Sequence, residues 1–166
     1  MRSHRALGVG LLWALAGCAQ SGGEASDPGP IPVRVLAAPG QCGAVRGPAV
    51  YWIAHEREWG EWHRRINNQW LNPPPPPAVD FSTAGVILIA MGQQATVGYS
   101  LSLADDTADV RDGVLTVRVD WREPAFDSRQ AQMLTNPCLL LKLPDAAFTR
   151  IEVLDPAGRV WLEGRR

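Results

Sequence analysis

The chain has 166 residues, which is enough for one domain with a proper hydrophobic core and too few for two domains of ordinary size. Hydrophobic residues make up 46% of the sequence and charged residues 20%, as in ordinary globular proteins. The formal net charge is −1 and the sequence has no basic run, which argues against a nucleic-acid-binding surface.

The first 17 residues have the pattern of a bacterial lipoprotein signal peptide. Arg2 and Arg5 precede an apolar segment, residues 6–15, that is too short to span a bilayer as a mature helix. Two small residues then precede Cys18, and a lipoprotein cysteine in this position is acylated and becomes the new N-terminus. We therefore predict a lipid anchor on Cys18; the alternative is an ordinary signal peptide in which this cysteine is incidental. Because Ala19 rather than aspartate follows it, the outer membrane is the favoured location in a Gram-negative cell.

Residues 18–30 are predicted to tether the lipid to a single domain, residues 31–166. The tether is rich in Gly, Ser, Asp and Pro, a composition typical of flexible linkers. The domain contains two cysteines, Cys42 and Cys138, and in the oxidising cell envelope such a pair most simply forms a disulfide. Two free buried thiols and a nucleophilic cysteine are the alternatives.

Short strands account for most of the predicted domain. Residues 86–91 (VILIAM) are an unbroken apolar run, which predicts a strand buried on both faces. A polar loop bounded by glycines, residues 92–98, and an alternating strand, residues 99–103, follow it, so residues 79–103 are predicted to form a hairpin. The other predicted strands are residues 31–37, 49–54, 114–121, 138–143, 148–154 and 160–162, the last two forming a hairpin.

One helix is predicted over residues 55–71. Trp59, Trp62, Ile66 and Trp70 lie on one stripe of that helix, and charged residues occupy the opposite face. Five consecutive prolines from Pro73 onwards must end the helix and form a rigid spacer.

Two further segments complete the prediction. Residues 104–112 are assigned to an acidic turn region, and residues 122–136 to a long, polar and mobile loop. Short strands joined by tight turns, with one helix covering a face, predict an α+β fold. This fold is a mostly antiparallel β-sheet or sandwich with one amphipathic helix packed on it.

Three short motifs resemble the PrcB family, which is named for a lipoprotein subunit that stabilises a surface protease complex. The motifs are Asp80-Phe81-Ser82, Gly92-x-x-x-Thr96-x-Gly98-Tyr99 and residues 136–144 (NPCLLLKLP). The usual family loop has Pro where Ala95 stands here, and Gly where Val97 stands. The resemblance covers residues 79–144 well and 32–160 loosely. It implies a non-enzymatic partner of proteases or of the envelope.

Patterns that would indicate catalysis or metal binding are weak. His55 and His63 are eight residues apart, which is not the three- or four-residue spacing that directs two imidazoles at one metal. Each is therefore interpreted as a residue of the helix start or of the polar face. The acidic residues between 105 and 112 lack the spacing of a calcium loop and are interpreted as a solvated turn. Cys42 and a histidine could act as nucleophile and base, but no flanking signature supports that pairing. We therefore predict a protein that is not an enzyme and has no catalytic residues, cofactor or metal site.

The loop after the buried strand is the predicted partner-binding site. Its candidate contact residues are Gln93, Gln94, Thr96, Gly98 and Tyr99, with residues 122–136 beside them. Thr96, Gly98 and Tyr99 also resemble part of the T-T-G-Y loop of chagasin-like cysteine-protease inhibitors. Gly98 would allow a positive φ and Tyr99 would anchor the base of the loop. The alternative is that Gly98 and Tyr99 only close the loop.

Together these patterns predict a lipid-anchored envelope protein that binds or stabilises a protein partner, which the family resemblance indicates is a protease complex. One alternative is a protease inhibitor that acts through residues 93–99. A second alternative is a structural envelope lipoprotein with no connection to a protease. No nucleic-acid partner is expected.

Overall fold

The computed structural model describes residues 29–43, 45–127 and 129–166. The predicted signal peptide, the acylation site Cys18 and most of the tether therefore lie outside the described residues. In order, the described chain forms β1 (Gly29–Pro32), β2 (Arg34–Ala37), β3 (Ala49–Ile53), α1 (Glu56–Ile66), β4 (Ala84–Ala90), β5 (Ser100–Leu103), β6 (Thr107–Arg111), β7 (Val114–Arg122), β8 (Cys138–Pro144), β9 (Arg150–Leu154) and β10 (Val160–Arg165).

Two mostly antiparallel sheets form a sandwich, which confirms the predicted α+β fold class. The first sheet has the order β1-β6-β7-β9-β10, with β5 also paired to β7, and the second has the order β2-β8-β4-β3. The pairing of β7 with β9 is parallel. The predicted strands at β3, β7 and β8 and the final β9–β10 hairpin are confirmed.

Strand β4 is buried on both faces, as its unbroken apolar run predicts. Ile87 and Ile89 belong to the core between the two sheets. Val86 and Leu88 point the opposite way, into a second apolar cluster that includes side chains of α1 and of the loop before β3. The strand needs apolar residues at every position because one layer covers each of its faces.

The predicted hairpin of β4 with β5 is wrong. Strand β4 lies between β3 and β8, so both of its edges are already hydrogen-bonded and none is free for the next strand. The chain instead passes to the other sheet, where β5 pairs with β7. Residues 91–99, here called the crossover loop, therefore connect two sheets rather than forming the tip of a hairpin.

The predicted acidic turn region contains a strand. Residues of β6 continue the line of β5 along the same edge of β7, and Ala108 and Val110 are buried. The turn to β7 is confined to Asp112 and Gly113, whose φ angles are 51° and 72°. Asp-Gly with two positive φ angles is the strongest short signal for a type I′ hairpin, and it was present in the sequence.

The predicted first strand is two strands in different sheets. Strand β1 pairs with β6 and β2 pairs with β8, and the N–H of Val33 between them donates to the carbonyl of Asp106 (2.7 Å). Val33 and Val35 would lie on the same face of one continuous strand, but because the chain bends between the two strands, Val33 is buried whereas Val35 is 49% exposed. Gly29 and Pro30, which were assigned to the tether, belong to β1.

Helix α1 is shorter than predicted. It ends at Ile66, after which Asn67 leaves the helical conformation with a φ of −102° and a ψ of 20°. The side-chain amide of Asn67 donates to the carbonyl of His63 (2.9 Å), and Trp70 beyond it is 61% exposed. His63, expected on the polar face, is buried beside Trp59, four residues earlier on the same face. Burial lowers the pKa of the His63 imidazole.

Candidate partner-binding surface

The crossover loop is hydrogen-bonded to the long loop between β7 and β8, residues 123–137. The N–H of Gln94 donates to the carbonyl of Thr135 (2.7 Å), and the N–H of Thr135 donates back to that of Gln94 (3.0 Å). The Thr135 hydroxyl donates to the carbonyl of Thr96 (2.9 Å), and the N–H of Val97 donates to that of Ala131 (3.3 Å). These bonds join the two loops into one feature, here called the two-loop surface.

Asn136 connects the two-loop surface to residues 39–48 beneath it. Its buried side-chain amide donates to the carbonyls of Gly43 and Val45, and its main-chain N–H donates to that of Gly40 (3.1 Å). Two residues further on, Cys138 forms a disulfide with Cys42, the pairing that the sequence predicts. Residues 131–136 of the predicted mobile loop are therefore held at several points along their length.

The predicted contact residues differ in exposure. Gln93 and Gly98 are exposed, Gln94 and Thr96 are half-buried and bond to the long loop, and Tyr99 packs against the core between the sheets. Gly98 has a φ of 100°, as expected for a glycine at this position. The structure thus gives Tyr99 a packing role, while partner binding by these five residues stays a prediction.

Apolar side chains on the long loop were missed as candidate contacts. Phe126 is fully exposed, and Met133 and Leu134 are 55% and 60% exposed. The loop that carries them was predicted from the sequence to be polar. These three apolar residues were the signal in its sequence that could have identified it as a contact surface. Three of the eight large apolar side chains that are exposed in the described residues lie on this loop, which makes it a candidate protein-binding surface.

A groove lies between the two loops. It is open, has a volume of about 410 Å³, and is lined on one side by Thr96 and Tyr99 and on the other by Pro124 and Phe126. A Cβ on Gly98 would lie 3.0 Å from the Cβ of Pro124. Gly98 is therefore required by its backbone angle and also by the close approach of the second loop.

One segment of the chain matches a known protein family. Residues 86–144 match the family described as PrcB C-terminal. This segment belongs to the PrcB-like family. It runs from within β4 to the end of β8, so the PrcB-like segment contains both halves of the two-loop surface. No curated protein and no solved structure gives a significant match.

The motif at Asp80, Phe81 and Ser82 precedes the PrcB-like segment and has a structural role. The N–H and hydroxyl of Ser82 donate to the Asp80 carboxylate (3.0 and 2.6 Å), and the Thr83 hydroxyl also donates to it (3.2 Å). The Ser82 hydrogen bonds are the main reason that the pKa of Asp80 is lowered. These contacts form the tight turn that leads into β4.

Other types of site receive no geometric support. Within residues 29–43, 45–127 and 129–166, no group of three or more His, Cys, Asp or Glu side chains is placed to hold a metal ion. His55 is exposed and His63 is buried against Trp59. The described part of the chain also has no helix with the length and apolarity needed to cross a bilayer.

Proposed function

We propose that this chain is a lipid-anchored, non-catalytic protein of the bacterial envelope that binds and stabilises a protease complex through the two-loop surface. The PrcB-like segment supports the link to a protease complex, because that family takes its name from an accessory subunit of one. The sequence around Cys18 supports the anchor.

The observation that carries the proposal is the exposure of Phe126, Met133 and Leu134 on one loop, in which residues 131–136, carrying Met133 and Leu134, are already held by main-chain hydrogen bonds. Burying an apolar side chain of this size against a partner is worth about 1.5–3 kcal/mol. Residues 131–136 are preformed and lose little conformational entropy on binding, which leaves more of that free energy for affinity.

The inhibitor hypothesis requires a loop that projects as a free tip into a protease cleft. The crossover loop instead bonds to Thr135 on one side, and on the other the N–H of Gln93 donates to the carbonyl of Arg46 (2.9 Å). These bonds hold both sides of the crossover loop against neighbouring segments. We therefore assign the surface to partner binding rather than to cleft inhibition.

The test is crosslinking of the native protein in cells, followed by identification of the captured proteins. We compare the wild type with a Phe126→Ser, Leu134→Ser variant and with a matched control, Leu71→Ser, Val160→Ser, whose side chains are exposed on other segments. A protease should be captured by the wild type and by the control, and lost with the two-loop variant. Capture of the same neighbours by all three proteins would contradict the proposal.

A second measurement separates a stabiliser from an inhibitor. The half-life and the activity of the captured protease are followed with and without the wild-type protein. A stabiliser lengthens the half-life and leaves the initial activity unchanged, whereas an inhibitor lowers the initial activity at near-equal molar ratio.

The anchor is tested separately by mass and by membrane partition. Wild-type protein should carry the mass of acyl chains on Cys18 and partition with the membrane. Cys18→Ser should lose both properties, and continued anchoring of that variant would contradict acylation at this site.

A further inference from the structure

A second concave surface lies between β3 and the C-terminal half of α1. It has a volume of about 400 Å³ and is here called the arginine groove. Its walls are the segment before β3 and the last turns of α1. The residues that matter for its chemistry are Arg46, Pro48, Tyr51, Trp62 and Arg65.

Two aromatic rings form the floor of the groove. The ring centroids of Tyr51 and Trp62 are 4.6 Å apart, and Tyr51 is 38% exposed. The guanidinium of Arg65 lies 5.4 Å from the centroid of the Trp62 ring, a cation–π contact. This contact positions the charge of Arg65 above an aromatic surface.

The described lining of the groove carries two positive charges, although Glu61 and Arg65 together line an adjoining concave surface. Neither Arg46 nor Arg65 forms an ion pair with a residue that the structure describes, and no described lining residue is acidic. Glu61, next to Trp62 in the helix, lies 4.0 Å from Arg57. Other arginines, such as Arg34 and Arg64, also form none of the ion pairs found in the described chain. The groove differs from them in that Arg46 and Arg65 share one concave surface with two aromatic rings.

We propose that the arginine groove binds an acidic peptide segment. Guanidinium groups bind carboxylates through two parallel hydrogen bonds, and an aromatic floor packs against the apolar parts of a peptide. A bilayer is a poor match, because the rings of Tyr51 and Trp62 lie within a concavity that a flat lipid surface does not enter. A small inorganic anion would use the arginines and leave the aromatic floor uncovered.

The groove adjoins the two-loop surface but has its own chemistry. The carbonyl of Arg46 accepts the N–H of Gln93, and a Cβ on Gly92 would lie 2.6 Å from the carbonyl carbon of Gly47. A partner seated on the two-loop surface can therefore extend an acidic segment into the groove. Binding in the groove requires neither the protease link nor Phe126, so the two proposals succeed or fail separately.

The test uses the full chain in detergent and fluorescein-labelled hexaglutamate, followed by fluorescence anisotropy at low salt. The variant Arg46→Gln, Arg65→Gln removes the charge of the groove. The control Arg34→Gln, Arg111→Gln removes the same net charge from exposed arginines outside it. We expect the groove variant to weaken binding about tenfold or more, and the control to change it by less than about twofold. Trp62→Leu should weaken binding with both arginines retained.

Thermal unfolding of each variant shows whether the fold is kept, and labelled hexalysine and phosphatidylglycerol vesicles serve as competing probes. Selective loss of hexaglutamate binding in the two groove variants supports the proposal. Equal binding by the groove variant and the control, or no hexaglutamate binding by the wild type, overturns it. Vesicle binding that depends on Arg46 and Arg65 in the absence of hexaglutamate binding also overturns it, in favour of a lipid surface.

Discussion

Strand β4 and residues 131–136 of the two-loop surface both form main-chain hydrogen bonds, yet they differ in where their side chains go. Every residue of β4 is buried, whereas Phe126, Met133 and Leu134 of the two-loop surface project into solvent. Hydrogen bonding alone therefore does not determine whether side chains are buried. The difference lies in the covering layer: β4 has one on each face, whereas no described part of the chain covers these three side chains.

The largest expected effect comes from breaking the link between the two regions. The Cys42–Cys138 disulfide spans 96 residues and ties the core strand β8 to the segment beneath the two-loop surface. Cys42→Ser, Cys138→Ser should lower the free energy of unfolding by about 4 kcal/mol, because the unfolded chain gains the entropy of an open loop. Denaturant unfolding measures this. Reduced wild type should match the variant, and a loss below about 1 kcal/mol would contradict the expectation.

A cavity in the core should have the next largest effect. Leu141 in β8 is completely buried between the sheets. Leu141→Ala should lower the free energy of unfolding by about 3 kcal/mol through lost burial and an unfilled cavity. Val160→Ala, at a position that is 44% exposed, is the control and should change it by less than about 0.5 kcal/mol. Similar losses from the two variants would show that the core assignment is wrong.

Strain in the crossover loop should lower the free energy of unfolding by less than the core cavity does, and its effect should be local. Valine at Gly98 would have to adopt a φ of 100° and would press on Pro124, so Gly98→Val should cost about 1–3 kcal/mol. Hydrogen exchange should speed up at the amides of Gln94 and Val97, which bond to the long loop. Gly40→Val, where a Cβ meets nothing within 4 Å, should leave that exchange unchanged. Unchanged protection in Gly98→Val would show that the two loops tolerate the strain.

A pH effect should appear on the α1 side of the core. Burial lowers the pKa of His63 from its ordinary value of 6.5, so on acidification the unfolded chain takes up this proton before the folded chain. The stabilisation from neutral His63 is complete above about pH 7 and is lost as the pH falls through 6.5 towards the folded-state pKa. Thermal unfolding between about pH 7 and 5 should therefore show a smaller fall in Tm for His63→Gln than for the wild type. The exposed His55→Gln should follow the wild type; identical slopes for all three would contradict the assignment.

The smallest expected effect on stability belongs to the two-loop surface itself. Phe126→Ala and Leu134→Ala remove side chains that contact solvent, so each should change the free energy of unfolding by less than about 0.5 kcal/mol. The same variants should reduce partner capture, which separates a binding role from a packing role. A loss of stability comparable to that of Leu141→Ala would show that these side chains pack in the folded chain.

Predictions from the sequence were most accurate where a signal was local and its meaning did not depend on distant residues. The apolar run of β4 and the alternation in β7 gave their strands correctly. The hairpin of β4 with β5 was wrong because β3 and β8 occupy both edges of β4, which no local pattern reveals. His63 was predicted to lie on the polar face of the helix because histidine is a polar residue type. Its position four residues after Trp59 instead places it on the buried face.

For the candidate site, too, some features were predicted from the sequence and others were not. The sequence pointed to the crossover loop through its glycines and its resemblance to the PrcB family, and it gave Gly98 a positive φ. The sequence did not show that Thr135 would pair with Gln94, because the two residues are far apart in the chain. They meet only because β4 and β8 are neighbouring strands. Phe126 was overlooked because an isolated apolar residue in a loop has no periodicity to mark it.

By itself, the sequence determined the fold class, the buried central strand, the cysteine pair and the segment that belongs to the PrcB-like family. These follow from composition, from side-chain alternation and from short motifs, which are properties of contiguous residues. The tertiary structure alone decided that β4 and β5 lie in different sheets, that two loops share one surface, and that Arg46 and Arg65 frame a common groove. The physical reason is that strand partners are chosen by which edges remain free, and that choice depends on the whole chain.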